Sequence, residues 1–384
     1  MRKLGLYVAP AVLVLAMSPA AASAAPASGS SPGACTKWVH QASPSPGSGD
    51  DNLYGVTATS ASNAWAVGGF FVGVNTDTLI EHWNGASWKK VPSPDKGEGD
   101  ELTAVYAPSA NNAWAVGNYS NGTAGRNLIE HWNGKKWSVI PSPSVGTGSN
   151  GLQAIRGTSA SDIWAVGSAV TSYPSTVTVI LHWNGQHWRV VTSPSVAGRP
   201  NFLNGVRPLS PSQAWAVGSV GDGTPARTLI LRWTSGHWRR VPSPNAGTSG
   251  NWLTGVRSIS AADAWAVGTY YTGSATNQAL FLHWNGRRWQ DFPGPKLGQG
   301  SHDLSAIGAT SASDAYAVGI TYRKTDTALV VHWNGKRWQA ESTPNPGSSD
   351  NSFNAVYAQS PATVWAVGSF SNGGHNRTLI EQCR

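Results

Sequence analysis

Residues 112–137 read NAWAVGNYSNGTAGRNLIEHWNGKKW, and variants of this stretch recur along the whole chain. The phrase Ala-Trp-Ala-Val-Gly, with one change before the tryptophan in two copies, supplies Trp65, Trp114, Trp164, Trp215, Trp265 and Trp365. Tyr316 takes the same place in a seventh copy, and successive copies lie 49 to 51 residues apart. Around His-Trp-Asn-Gly, or a variant of it, two further tryptophans recur five residues apart: Trp83/Trp88, Trp132/Trp137, Trp183/Trp188, Trp233/Trp238, Trp284/Trp289 and Trp333/Trp338. A fixed period of this length is typical of repeat architectures.

Each repeat contains four segments with strand character and none with helical periodicity. In the second repeat they are residues 102–106, 113–119, 127–132 and 136–140. Asn133-Gly134 predicts a two-residue type I′ hairpin that would pair Glu130 with Trp137. Four antiparallel strands in about 50 residues, repeated seven times, predict an all-β, seven-bladed β-propeller with four antiparallel strands per blade.

The two chain ends are out of phase with the repeat, and this predicts how the ring closes. The segment around Trp38 matches only a fourth strand, whereas residues 353–383 match only the first three strands. We therefore expect the N-terminal segment to be the outermost strand of the last blade. Cys35 and Cys383 fall where other repeats have the hairpin turn, which predicts a Cys35–Cys383 disulfide rather than two unrelated thiols. In the chain-entropy model, closing so long a loop stabilises the fold by about 5 kcal/mol.

Residues 1–24 have the pattern of an export signal. Arg2 and Lys3 precede an apolar run, and the small residues Ala22-Ser23-Ala24 form a cleavage pattern. We expect a secreted protein that begins near Ala25; the alternative is an uncleaved membrane anchor, and no later segment is apolar enough to span a membrane.

The predicted mature chain has a flexible segment at 25–34 and the propeller at 35–384. Removing Arg2 and Lys3 leaves 25 of the 27 basic residues against 19 acidic ones, a net charge of about +6. This charge is too mild to require a nucleic-acid partner. We expect a monomer.

Residues 311–319, Ser-Ala-Ser-Asp-Ala-Tyr-Ala-Val-Gly, followed by His332-Trp-Asn-Gly335, resemble a repeat widespread in soil actinobacteria. Over residues 35–384 the chain resembles secreted bacterial seven-bladed propellers of the WD40, YVTN and kelch-like group. It lacks the Gly-His and Trp-Asp pairs of WD40 repeats, and the kelch double glycine occurs only at Gly68-Gly69. The resemblance implies the propeller fold. Some Trp-rich seven-bladed propellers are lectins, and this analogy favours sugar binding.

Histidine and glutamate recur at neighbouring repeat positions. The tryptophan of the second phrase follows His82, His131, His182, His283 and His332. Equivalent positions spread around a ring, so we expect structural, hydrogen-bonded histidines rather than a metal site. Glu81, Glu130 and Glu381 share one position in three blades. They could form a catalytic cluster, but pairing with a tryptophan indole or a basic group is the favoured interpretation.

Basic residues gather beside the last tryptophan of each repeat, on the predicted outer edge strand. They are Lys37, Lys89, Lys90, Lys135, Lys136, Arg189, Arg239, Arg240, Arg287, Arg288, Lys336 and Arg337. Such charges block edge-to-edge pairing of sheets. Weak contact with polyanions at this basic rim is the alternative.

The loops after the second and fourth strands should emerge on one face of the ring, which we call the loop face. Seven polar residues that precede the first strand are predicted to ring the channel mouth: Asp51, Asp100, Asn150, Asn201, Asn251, His302 and Asn351. The alternative is that they only cap turns. Loops after the second strand carry exposed-looking aromatic residues: Phe70, Phe71, Tyr119, Tyr173, Tyr270, Tyr271, Tyr322 and Phe370.

A ligand site is predicted at Asn251, Trp252, Tyr270 and Tyr271, because Trp252 is the only tryptophan that the repeat does not require. Aromatic rings can stack on a sugar while amides bond its hydroxyls. Hydrolase, metalloprotease and phosphate-loop motifs are absent from the sequence, so we expect no cofactor and no metal. The sequence therefore predicts a secreted, non-enzymatic binding protein for carbohydrate or cell-surface ligands, with an extracellular glycan or protein as partner. A protein-interaction scaffold and, less favoured, an extracellular glycoside hydrolase or lyase are the alternatives.

Overall fold

The computed structural model describes residues 35–172, 175–221, 225–273 and 276–384. In this part of the chain, 28 strands form seven four-stranded antiparallel sheets. The predicted export signal, the segment at 25–34 and Tyr173 lie outside the described residues.

The strands follow one another around the ring in chain order. The first strand is β1 (Trp38–Gln41), and blade 1 contains β2 (Asp51–Ser60), β3 (Asn63–Val72), β4 (Asn75–Trp83) and β5 (Trp88–Lys90). Blade 2 contains β6 (Glu98–Ser109), β7 (Asn112–Ser120), β8 (Gly125–Trp132) and β9 (Trp137–Val139). Blade 3 contains β10 (Asn150–Ser159), β11 (Asp162–Ser172), β12 (Ser175–Trp183) and β13 (Trp188–Val190). Blade 4 contains β14 (Asn201–Ser210), β15 (Gln213–Val220), β16 (Arg227–Thr234) and β17 (His237–Val241). Blade 5 contains β18 (Gly250–Ser260), β19 (Asp263–Tyr271), β20 (Asn277–Trp284) and β21 (Trp289–Asp291). Blade 6 contains β22 (Ser301–Ser311), β23 (Asp314–Tyr322), β24 (Thr327–Trp333) and β25 (Trp338–Glu341). Blade 7 contains β26 (Asp350–Ser360), β27 (Thr363–Ser371) and β28 (Arg377–Cys383).

Blade 7 is completed by the other end of the chain. Its sheet has the order β1-β28-β27-β26, and Trp38 pairs with Cys383. Cys35 and Cys383 form a disulfide with their Cα atoms 5.4 Å apart. The predicted number of blades, the closure by both ends and the disulfide are confirmed.

The prediction of a two-residue hairpin between the third and fourth strands is wrong for the Asn-Gly repeats. Trp132 pairs with Trp137, and Glu130 pairs with Val139, so residues 133–136 form a four-residue loop. The Asn133 side chain causes this longer loop, because its Oδ1 accepts hydrogen bonds from two backbone amides, those of Lys135 at 3.0 Å and of the next residue at 3.1 Å. Among the described hairpins of this kind, only that of blade 4 continues its ladder to Thr234 and His237.

The hydrophobic core lies between neighbouring blades. The ring of Trp65 in blade 1 lies 5.1 Å from Trp132 and 5.2 Å from Trp137 in blade 2, measured between ring centroids. Trp114 and Trp164 make the same kind of contact with the tryptophan pair of the following blade. The tryptophans of the Ala-Trp-Ala-Val-Gly phrase are therefore buried core residues, and each one joins two sheets.

Every inner strand carries a β-bulge near its start. In blade 2, Leu102 pairs with Gly117 and Ala104 with Val116, which leaves Thr103 unpaired. A Cβ atom on Gly117 would lie 1.9 Å from the Glu101 carbonyl oxygen. The strands approach so closely at the bulge that only glycine fits, which explains the glycine that ends each Ala-Trp-Ala-Val-Gly phrase.

Candidate functional site

The bulges supply the side chains that line the central channel at its loop-face end. A bulge leaves one residue out of the ladder and changes the direction of its side chain. The seven unpaired residues are Tyr54, Thr103, Gln153, Asn204, Thr254, Ser305 and Asn354, which we call the bulge ring. Together with Glu101 and Asn118 they line a cavity of about 490 Å³, which is the channel mouth.

Four members of the bulge ring also join their blade to the next one. The hydroxyl of Thr103 donates to the Leu152 carbonyl at 2.8 Å, and that of Thr254 donates to the Leu304 carbonyl at 2.7 Å. The amides of Asn204 and Asn354 donate in the same way to the Leu253 and Leu53 carbonyls, at 2.8 Å and 2.9 Å. These bonds use side-chain donors, so the oxygen lone pairs of the same groups remain as acceptors.

One carboxyl group adds to this acceptor-rich surface. Glu101 lines the mouth next to Tyr54, and burial raises the pKa of its carboxyl while a hydrogen bond from Tyr54 opposes that rise. Asp303 occupies the same repeat position in blade 6, and its Oδ1 is buried without a hydrogen-bond partner among the described residues. The mouth therefore combines neutral acceptors with the acidic Glu101, and Asp303 lies at the equivalent position of blade 6 without lining the cavity.

The four residues predicted as a ligand site do not form one cluster. Asn251 pairs with Tyr270 across the strands, and Tyr270 packs against the core between blades 4 and 5. Trp252 points to the opposite side of β18, where its ring lies over Gly250. Tyr271 pairs with Gly250, and Trp252, Tyr270 and Tyr271 are all half-buried. Trp252 shares its strand face with the bulge ring, whereas Asn251 does not.

The seven polar residues that precede the first strand do not ring the mouth. Asn251 is 0% exposed; its Oδ1 accepts from the Gly247 amide at 2.8 Å and its Nδ2 donates to the Gly247 carbonyl at 2.8 Å. Asp51, Asp100, Asn150, Asn201 and Asn351 accept hydrogen bonds from the same kind of loop amide. The cap interpretation is correct for these six residues, whereas His302 has its Nδ1 3.2 Å from the Thr321 hydroxyl and its Nε2 3.5 Å from the Gly298 carbonyl.

Apart from Tyr173, which lies outside the described residues, the aromatic residues assigned to loops after the second strand lie at strand ends instead. Tyr322 is 41% exposed, whereas Phe70 is only 7% exposed. Phe71 lies within β3 and Tyr119 within β7. The prediction of an exposed aromatic surface is wrong for Phe70, which packs in the core of blade 1.

Glu81, Glu130 and Glu381 are fully buried, in separate contacts between blades. Their carboxylate oxygens have no hydrogen-bond partner among the described residues, so the predicted pairing with an indole or a basic group is wrong. Burial raises the pKa of Glu130 and of Glu381 to about 8. In blades 3, 4 and 5 the same position holds a buried leucine. Each glutamate thus occupies a core position, and the fold does not bring the three together.

The five recurring histidines are structural, as predicted. His182, for example, lies 2.7 Å from Asp162 and stacks on Trp164 at 4.2 Å. Burial lowers the pKa of His332, but hydrogen bonds with Asp314 and Glu341 outweigh that effect and raise it to about 9. Each histidine lies near the end of the third strand and hydrogen-bonds an Asn or Asp at the start of the second strand, so it holds these two strands together.

All twelve side chains of the basic rim are solvent-exposed, and they lie on the outer strands or in the segment directly before them. Lys90 also places its Nζ atom 3.7 Å from the centroid of the Phe70 ring. Contact of this rim with a polyanion stays a prediction. Within residues 35–172, 175–221, 225–273 and 276–384, no three His, Cys, Asp or Glu side chains are grouped to hold a metal ion. The same residues include no helix long and apolar enough to cross a membrane.

The sequence pattern contains a signal for the bulge ring. Each ring residue stands between a buried Leu or Phe and a Gly or Ala, as in Leu203-Asn204-Gly205. A polar residue at the centre of an apolar strand, followed by a residue too small to fill space, is typical of a bulge at a close approach of strands. The alternation rule missed it because the rule assumes an unbroken ladder.

Comparison with known proteins identifies the fold and no family. No protein-family model matches the chain, and no curated protein matches it. Two solved structures are similar over 90% of this chain. One, described as YCF48 bound to D1 peptide, has a TM-score of 0.55 and 13% identity over 96% of its own length. The other, YCF48 from Cyanidioschyzon merolae, has a TM-score of 0.56 and 12% identity over 98% of its length.

Proposed function

We propose that this chain is an exported, non-enzymatic binding protein that takes a carbohydrate ligand at the channel mouth. The observation that carries the proposal is the excess of acceptors there. Four of the seven bulge-ring residues use side-chain donors on backbone carbonyls, so their amide and hydroxyl oxygens remain as acceptors beside the Glu101 carboxyl. A sugar presents many hydroxyl donors on a rigid frame, and such a ligand satisfies a surface of this kind.

Aromatic residues stand beside these acceptors. Phe202 and Trp252 hold the same repeat position in adjacent blades 4 and 5, and both side chains are half-buried. In blades 2 and 6 the position holds Glu101 and Asp303. One repeat position thus offers rings for the apolar face of a hexose and carboxyl groups for its hydroxyls.

The test is a glycan array followed by titration calorimetry on the best ligand. We expect Trp252→Ala and Gln153→Ala each to weaken binding about tenfold, since stacking and a buried hydrogen bond are each worth ~1–2 kcal/mol. Gln186→Ala is the matched control, because Gln186 is exposed in the outer hairpin loop of the same blade as Gln153, away from the channel. Equal affinities for all three variants and the parent protein would place the ligand elsewhere.

A protein or peptide partner is the second candidate. It is favoured by the similar structure described as bound to a peptide, which shares the propeller architecture. Pull-down with the mature protein separates the two candidates: a protein ligand that resists competition by the best array glycan and is lost with Gln153→Ala would replace the carbohydrate proposal.

Export is part of the proposal and has its own measurement. The Cys35–Cys383 disulfide supports it, since such bonds persist in oxidising compartments. We expect N-terminal sequencing of protein from the culture medium to begin near Ala25. An intact Met1 on a membrane-bound species would contradict export.

A further inference from the structure

Three arginines of successive blades meet inside the central channel. Arg156, Arg207 and Arg257 occupy one repeat position in blades 3, 4 and 5, each paired with the central tryptophan of its blade. They line one cavity together with Tyr357 and small or apolar residues. That position holds Thr57, Tyr106, Gly308 and Tyr357 in the remaining blades, so the positive charge is confined to one side of the channel.

These guanidinium groups lack acidic partners. No ion pair joins any of the three to a carboxylate in the described part of the chain, and no acidic residue lines their cavity. Arg207 makes no side-chain hydrogen bond to a described residue, and its Nε atom is buried without a partner. Arg257 donates from Nη2 to the Ala309 carbonyl, but its Nε atom is also buried without a partner. Arg156 has only weak contacts, with the Thr57 hydroxyl at 3.5 Å and with the ring of Tyr357 at 5.2 Å. Unpaired buried donors of this kind leave hydrogen-bonding capacity for a ligand.

The electrostatics agree with the geometry. Burial, followed by the charge of Arg156, lowers the pKa of Arg257 to about 10. Burial, followed by the charges of Arg257 and Arg156, holds the pKa of Arg207 well below its usual range. The Tyr357 side chain opposes the pKa shift of both arginines, and the Tyr106 side chain opposes that of Arg207. Three like charges with no counter-charge attract an anion.

We propose that Arg156, Arg207 and Arg257 form a binding site for an oxyanion: a phosphate, sulfate or carboxylate group. Planar guanidinium forks match the oxygen pairs of these groups, and the blades hold the forks in place before the ligand arrives. The arginine cavity itself has room for about one water molecule. Arg156 also lines the adjoining section of the channel, of about 140 Å³, which extends to the bulge ring. An oxyanion in that section can place an oxygen atom among the guanidinium groups.

The shared chemistry leaves two sources for the anion, and two titrations separate them. Inorganic phosphate tests a free ion, and glucuronate tests a carboxylate carried by a sugar; only the second rests on the proposed function. We expect calorimetry to give a dissociation constant below about 1 mM for at least one of them. Tighter glucuronate would identify an acidic sugar, whereas tighter phosphate would identify a free ion and leave the carbohydrate proposal to its own test.

The decisive variant is Arg207→Gln, with Arg240→Gln as its control in the same blade. Arg240 is exposed on the outer strand, so its loss alters net charge equally without touching the channel. We expect Arg207→Gln to weaken anion binding at least tenfold and Arg240→Gln to change it less than twofold. Equal affinities for the two variants, or no binding of either anion to the parent protein, would overturn the proposal.

Thermal melting distinguishes a binding role from a structural one. Without anion, Arg207→Gln should melt at or above the parent temperature, because it relieves repulsion among like charges. At equal ionic strength, phosphate should raise the melting temperatures of the parent and of Arg240→Gln more than that of Arg207→Gln. The general salting effect does not explain such a difference, because it is common to all three proteins. If Arg207→Gln melts at a lower temperature than the parent, and phosphate raises both melting temperatures equally, then Arg207 serves only the fold.

Discussion

At the residue scale, Glu130 shows a buried carboxyl group in a core position. Its oxygens have no hydrogen-bond partner among the described residues, and burial is the main cause that raises its pKa to about 8. Leu181, Leu231 and Leu282 fill the same position in other blades and are fully buried. The protonated acid is therefore the form that fits the core, and ionisation opposes folding.

This gives a prediction about stability and pH. The folded-state pKa of Glu130 is above its ordinary value of 4.5, so folding favours the bound proton between pH 4.5 and about pH 8. Stability should fall as pH rises through that window, by up to ~3–5 kcal/mol for this one group. We expect Glu130→Leu to raise the melting temperature by several degrees at pH 8.5 and by much less at pH 4.5.

Glu98→Leu is the control, because Glu98 is exposed in the same blade. Melting curves from pH 4.5 to 9 measure both variants. An identical pH dependence for Glu130→Leu and the parent would mean that Glu130 ionises freely in the folded protein.

At the scale of the element, the bulge determines both packing and the candidate site. It needs a glycine opposite: a Cβ on Gly117 would lie 1.9 Å from the Glu101 carbonyl oxygen, which is backbone and cannot rotate away. We expect Gly117→Ala to lower the free energy of unfolding by about 2–4 kcal/mol. Denaturant titration is the measurement. Gly374→Ala should change little, since a Cβ there meets nothing within 4 Å.

The elements also show what the sequence could and could not predict. Strand number, blade number and the tryptophan contacts follow from repeat phase and alternation, which are local patterns. The hairpin register was mispredicted because the Asn133 side chain accepts backbone amides and holds four residues in the loop. The bulge ring was missed because a bulge depends on how inner strands converge, and the arginine cluster because it joins residues about 50 positions apart.

At the scale of the whole molecule, the channel has two chemically different parts. Its mouth holds neutral acceptors and the carboxyl of Glu101, whereas the section with Arg156, Arg207 and Arg257 is positive and has no acidic lining residue in the described chain. The same strands supply both parts, and the basic rim lies on the outer strands and in the segments directly before them, away from the channel. A ligand with hydroxyl groups at one end and an acid group at the other would fit along this axis.

Ring closure leads to the last prediction, which concerns the order of unfolding. The N-terminal strand β1 has four residues, and its ladder joins blade 7 only through β28, from Trp38–Cys383 to Gln41–Ile380. The disulfide closes a loop with a sequence separation of 348 residues, for which the chain-entropy model gives about 5 kcal/mol. Trp38 nevertheless keeps its contacts with Tyr316 and Phe353 when the bond is broken, because those contacts are non-covalent.

We therefore expect the double variant Cys35→Ser, Cys383→Ser to fold and to have a melting temperature lower by roughly 5–10 °C. Its amide hydrogens should exchange first at residues 35–41. The inner strands of blades 2 to 5 should keep the protection of the parent, since their ladders do not depend on the ends. Hydrogen exchange read by mass spectrometry measures each region separately. Uniform loss of protection around the ring would mean that the propeller unfolds as one unit and that blade 7 is not its weakest point.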